Sequence, residues 1–151
     1  MRRLGVTAAT LLLLAATIGG CAGSDEASAH TCGAMDRRFL QRAGVDVTAF
    51  GIWQQDYAAG AISAEEAARE AFDAAKRVAH VEPSNPSLRT AQRYLNGMFT
   101  TYGEAVKLDA EGKDGGERMY LAHVFRNGAH EVLAEAQPAL QREGCDVAPL
   151  L

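Results

Sequence analysis

The sequence predicts an all-α protein: a small antiparallel four-helix bundle with a short extra N-terminal helix capping one end. Beyond residue 32, apolar residues recur at steps of three and four rather than two, the helical period. No run of Val, Ile and Thr bounded by turn residues interrupts that pattern. Its apolar stripes are rich in alanine, which lets helices approach closely and pack near about +20°.

Met35, Phe39, Leu40 and Ala43 make the first, short helix, with Gly44 as a left-handed stop. Asp46 or Thr48 then caps a second helix that carries Phe50, Trp53 and Tyr57 on one face and ends at Gly60. Ser63 and Glu66 have the spacing of a capping box ahead of the stripe Ala67, Ala68, Ala71, Phe72, Ala75 and Val78, which Pro83 terminates. Asn85-Pro86 supplies an N-cap and a proline at the first helical position for Leu88, Ala91, Leu95, Met98, Tyr102 and Ala105. After the glycine-rich loop from Glu111 to Gly116, a last helix points Leu121, Ala122, Phe125, Ala129, Leu133 and Ala136 inward. Pro138 is expected to kink or interrupt it.

The first 20 residues follow a different logic. Met1-Arg2-Arg3 is a positive start, and Val6 to Ile18 is an uncharged apolar run too short for the roughly 18 to 20 residues of a spanning helix. Ile18-Gly19-Gly20-Cys21 resembles the lipobox of bacterial lipoproteins, an aliphatic residue and two small ones before a cysteine. The resemblance covers the leader alone. It implies diacylglyceryl transfer to the Cys21 sulfur, acyl chains such as palmitate, cleavage before Cys21, and a mature chain held on the extracytoplasmic face of the cell membrane. An ordinary secretory leader cleaved nearby is the competing reading. The expected organisation is a signal peptide over 1–20, a lipidated cysteine and flexible tether over 21–31, and a helical domain over 32–151.

Lipidation of Cys21 leaves Cys32 and Cys145 as an even pair in an oxidising compartment, and a disulfide between them is expected. Such a staple closes a loop of more than a hundred residues, for which chain entropy suggests about 4 to 5 kcal/mol as an upper guide. To bring Cys32 to Cys145, the Met35 helix would have to cross the end of the bundle. Without Arg2 and Arg3, the chain has 13 basic and 19 acidic residues, net −6, which disfavours nucleic acid as a partner.

Catalytic motifs do not emerge. His130-Glu131 opens like a zinc-protease motif, but Ala134 stands where the second histidine belongs. The acidic loop holding Asp109, Glu111, Asp114 and Glu117 departs from the EF-hand register, with Lys113 and Asp114 at the fifth and sixth positions. Met119, His123, Asn127 and His130 fall along one line of the last helix, and thioether with imidazole would suit copper or zinc. The two histidines lie about 10 Å apart along a helix, so one ion would need a second helix to complete the site. The expected function is therefore non-enzymatic: a membrane-anchored module that binds another exported or envelope protein. The alternative is a metal-binding or small-molecule-binding lipoprotein.

Overall fold

The computed structural model describes residues 31–151; the expected signal peptide (1–20), the expected lipidation site Cys21 and residues 22–30 of the expected tether lie outside the described residues. Four α-helices occur among the described residues: α1 (Ala34–Ala58), α2 (Ala64–Ala79), α3 (Pro86–Ala110) and α4 (Gly116–Arg142). A single 3₁₀ turn, Ala148–Leu150, follows them.

Local chemistry sets most helix ends. Ser63 Oγ accepts the Glu66 N–H at 3.1 Å and starts α2. Asn85 Oδ1 accepts from Ser87 N at 2.9 Å and starts α3, with Pro86 in its first turn. Three helices end in the same way, on glycines with positive φ: Gly60, Gly112 and Gly144. Behind each, the next residue reaches back to the helix, from Ala61 N to Asp56 O at 2.7 Å, Lys113 N to Leu108 O at 2.9 Å and Cys145 N to Leu140 O at 2.8 Å. These are Schellman motifs, which satisfy carbonyls the helix leaves unpaired.

Side-chain register gives the topology. Along α2 and α3, Gln92 Nε2 donates to Val78 O at 2.9 Å and Asn96 Nδ2 to Ala75 O at 2.9 Å, so the numbers rise on one helix as they fall on the other. The α3–α4 pair runs likewise, with Gly97 against Phe125 and Glu104 bridged to Arg118. Asp36 binds Ser84 N while Arg77 reaches back to Asp46, which makes α1 and α2 antiparallel as well. The result is an up-down-up-down bundle. One end, the stapled end, gathers the start of α1, the α2–α3 loop and the end of α4. The far end gathers the α1–α2 and α3–α4 loops.

Small residues face large ones in the core. The buried face of α2 is mostly alanine, Ala67, Ala68, Ala71, Ala74 and Ala75, whereas α1 and α3 contribute Phe39, Phe50, Leu88, Met98 and Phe99. Phe50 packs edge-on against Phe99 and Tyr102, with ring centroids at 5.2 and 4.8 Å. Three helical glycines serve as notches for aromatic rings. A Cβ on Gly97, Gly103 or Gly128 would stand 3.1, 2.9 or 2.8 Å from Phe125, Phe72 or Tyr94.

The fold class and the Cys32–Cys145 disulfide are as the sequence predicts, the Cα atoms of the pair standing 4.9 Å apart. The separate capping helix is not. Residues 34–58 form one continuous helix, and Gly44 lies inside it. Thr48 Oγ1 bonds back to Gly44 O at 2.8 Å, and Asp46 is buried against Arg77, so neither residue caps a new helix. Glycine at position 44 makes room for the folded-back chain: a Cβ there would stand 3.1 Å from Pro149 Cβ. No crossing helix is needed for the disulfide, because antiparallel α1 and α4 already bring Cys32 and Cys145 to one end. The chain after Cys145 folds back over α1 instead, burying Val147 and Leu150. Nor does Pro138 interrupt α4, which continues to Arg142. Pro138 and Ala134 are both exposed, so water can meet the carbonyl that the proline leaves unpaired.

Candidate functional site

The first surface of interest is the outer face of α1. Arg38, Arg42, Val45, Ala49 and Ile52 step by four, three, four and three, which sets them in one line along the helix. Val45 is 65% exposed and Ile52 54% exposed, the largest exposures of large aliphatic side chains among the described residues. They border a shallow apolar depression completed by Leu40, Thr48 and Pro149. From Met35 to Gln55 the only acidic residues, Asp36 and Asp46, are buried. The charges this stretch shows to water are thus those of Arg37, Arg38 and Arg42.

The second feature is a cleft of about 140 Å³ between α1 and α4, next to the folded-back segment. Phe50, Leu95, Met98 and Ala129 form its apolar floor, and Gln54, Arg126 and His130 bring polar groups to it. Gly51 leaves the α1 wall open, with nothing within 4 Å of where its Cβ would lie. The volume matches that of a cavity able to hold a benzene-sized group.

The line Met119, His123, Asn127 and His130 does not come together as one set. Met119 is half-buried against the core, His123 and Asn127 are exposed, and His130 borders the α1–α4 cleft. Among the described residues, no three His, Cys, Asp or Glu side chains lie close enough to hold one metal ion. Cys32 and Cys145 are joined in the disulfide, and Cys21 lies outside the described residues.

Carboxylates elsewhere are engaged on the surface. Glu66 and Glu70 lie 3.7 Å from Arg69, and Asp73 lies 3.0 Å from Lys76. The Lys76 hydrogen bond holds the Asp73 carboxyl below its ordinary range, as Lys113 does for Glu111. At the far end, Tyr57 donates to Asp109 Oδ2 at 2.7 Å, and its pKa is pushed up to about 12, first by that hydrogen bond. Burial raises the Tyr102 pKa. None of these four groups lines the α1–α4 cleft.

Sequence reasoning missed both surfaces for identifiable reasons. Val45 was masked by a helix break expected at Gly44, and the cleft depends on where the last residues fold back. The signal for the first was the four-three spacing from Arg38 to Ile52, which continues straight through Gly44. No helix among the described residues is long and apolar enough to cross a membrane. No family model, curated protein or solved structure matches the chain.

Proposed function

We propose that this chain is a lipid-anchored domain on the extracytoplasmic face of the cell membrane, and that it acts by binding another exported or envelope protein rather than by catalysis. The observation that carries this reading is the unpartnered line of Val45, Ala49 and Ile52 on α1, flanked by Arg38 and Arg42. Exposed apolar groups rimmed by charge are the usual mark of a protein-binding surface. The complementary partner presents apolar side chains at its centre and carboxylates opposite the two arginines.

Two measurements test the reading. Intact mass of the mature protein from its native membrane is expected to show the lipid on Cys21 and the loss of two hydrogens for the disulfide. A photo-reactive residue placed in cells at Val45 or Ile52 is expected to trap the same exported protein, and one at Lys76 is not. The adduct should vanish when Ile52→Glu is combined with the Val45 probe. Absence of a shared adduct at positions 45 and 52 would refute the interaction surface.

The α1–α4 cleft favours a second reading, in which the domain binds a small ligand. Its apolar floor with Arg126 and His130 at the mouth suits a compact apolar body bearing one anionic group. Native mass spectrometry should then find a small adduct that is lost in Arg126→Ala.

A further inference from the structure

The outer line of α1 does not stop at Ile52. One step of four further it reaches Asp56, which is half-buried, so that Arg38, Arg42, Val45, Ala49, Ile52 and Asp56 are spaced by four, three, four, three and four. This is the 3.5-residue repeat of a coiled-coil seam, about 27 Å long at 1.5 Å per residue. Charge is ordered along it, with two arginines at the start, three apolar side chains in the middle and one carboxylate at the end. Among the described residues, no ion pair engages Arg38, Arg42 or Asp56.

A seam in this order is complementary to itself. When a second copy is laid antiparallel with its Ala49 against Val45, its Ile52 falls against Arg42 and its Asp56 against Arg38, and two-fold symmetry repeats each contact. The Arg42 stem then covers Ile52, while Arg38 meets a carboxylate. A parallel arrangement would instead set each arginine against its own counterpart, which like charge disfavours. The exposed residues beside the seam, Gln41, Thr48 and Gln55, are uncharged.

Neighbouring charges keep the same order. At the arginine end, Arg37 adds a third cation and Asp146 of the folded-back segment lies beside it, while Glu82 borders Arg89 and Arg93 instead. At the other end, Glu66 and Glu70 of α2 each stand 3.7 Å from Arg69, and Asp109 accepts from Tyr57. Arg126 and His130 stand across the α1–α4 cleft. With all of these counted, the start of the seam stays positive and its end negative.

We infer that the outer face of α1 pairs with the same face of a second copy of this chain, antiparallel, with Arg38 of each copy against Asp56 of the other. The inference rests on the reading of this face as a protein-binding surface and names the exported protein that occupies it. One helix per copy makes a narrow contact, so pairing follows concentration, which confinement to one membrane raises. Antiparallel pairing puts the two Cys32 ends at opposite ends of the dimer. Residues 22–31 span at most about 35 Å, so both anchors reach one bilayer when α1 lies along it.

Photo-cross-linking of the full lipidated chain in cells tests this, with two copies that carry different tags and the joined peptides identified by mass spectrometry. A probe at Val45 is expected to give an adduct of both tags joined near Ala49 of the other copy, and a probe at Ile52 one joined near Arg42. Arg38→Glu or Asp56→Arg alone should lower the yield several-fold, and the two together should restore it. A different protein trapped at both positions would overturn the inference and leave the face a protein-binding surface. Ile52 joined to Ile52 of the other copy would overturn it by showing parallel pairing, and so would a double variant as poorly joined as the single ones. No shared adduct at the two positions would remove both the inference and the reading on which it rests.

Discussion

Arg77 meets Asp46 through two donors at one oxygen, Nη2 at 2.8 Å and Nε at 2.9 Å from Oδ1, and so joins the middle of α1 to α2. The Asp46 side chain is 3% exposed and that of Arg77 35%, while Asp46 Oδ2 has no hydrogen-bond partner. The carboxylate therefore depends on one guanidinium for its charge compensation, and the guanidinium also depends on water.

Removing the arginine should cost more than removing the pair. Arg77→Met leaves a buried carboxylate without a counter-charge, and a loss of about 2 to 3 kcal/mol is expected, at the low side of buried pairs because Arg77 is partly hydrated. Adding Asp46→Leu should recover most of it, to within about 1 kcal/mol of the original protein. Urea unfolding of the two single variants and the double variant measures this. A double variant no more stable than Arg77→Met would show that the pair is needed for packing rather than for charge.

The bundle's glycines divide into notches and vacancies, and Ala substitution should separate them by sign. At Gly51 nothing lies within 4 Å of the new methyl, so Gly51→Ala should stabilise α1 by about 0.5 to 1 kcal/mol. At Gly128 the methyl would stand 2.8 Å from the Tyr94 ring, and moving that ring should cost about 1 to 2 kcal/mol. Thermal unfolding midpoints that move in the same direction for both would contradict the packing described.

The helix ends were the most legible part of the fold, because their causes are local. Ser63 and Asn85 act within three residues of themselves, and Gly60 and Gly144 terminate helices wherever the tertiary structure puts them. Gly44 misled for the same reason: its role is set by Pro149, more than a hundred residues away in sequence, and no local pattern carries that contact. Gly97, Gly103 and Gly128 are notches only because aromatic rings from other helices arrive there. Of the candidate site residues, Cys32 and Cys145 were readable as the even pair left when Cys21 is set aside. The line Met119 to His130 was drawn from spacing alone, which cannot say that Met119 turns toward the core while His123 faces water.

Loss of the disulfide should destabilise the whole domain and loosen one end first. Cys32 and Cys145 are both buried and 113 residues apart, so the bond constrains nearly the entire described chain in its unfolded state. Cys32→Ser with Cys145→Ser should cost about 2 to 5 kcal/mol, and thermal unfolding should fall by roughly 10 °C or more. Hydrogen exchange should rise first in Arg37 to Gln41 and least at Met98 to Tyr102, in the middle of α3. Uniform loss of protection would show instead that the bundle has no independently stable far end.

The Tyr57–Asp109 bond ties α1 to α3 at the far end, and its strength should follow pH in a defined direction. Hydrogen bonding to Asp109 raises the Tyr57 pKa from the ordinary 10.0 to about 12. The neutral phenol is thus favoured in the folded state, and its stabilising effect is fully present below about pH 10 and lost as pH rises through 12. The pair is largely exposed, so solvent screening keeps the effect small. Ultraviolet titration should find one tyrosine ionising near pH 12, returning toward 10 in Asp109→Asn, while Tyr102 stays high because burial raises it. Tyr57→Phe should be less stable than the original chain at pH 8, with the gap narrowing above pH 10. A gap that stays constant across that range would mean that the hydroxyl contributes nothing that depends on its proton.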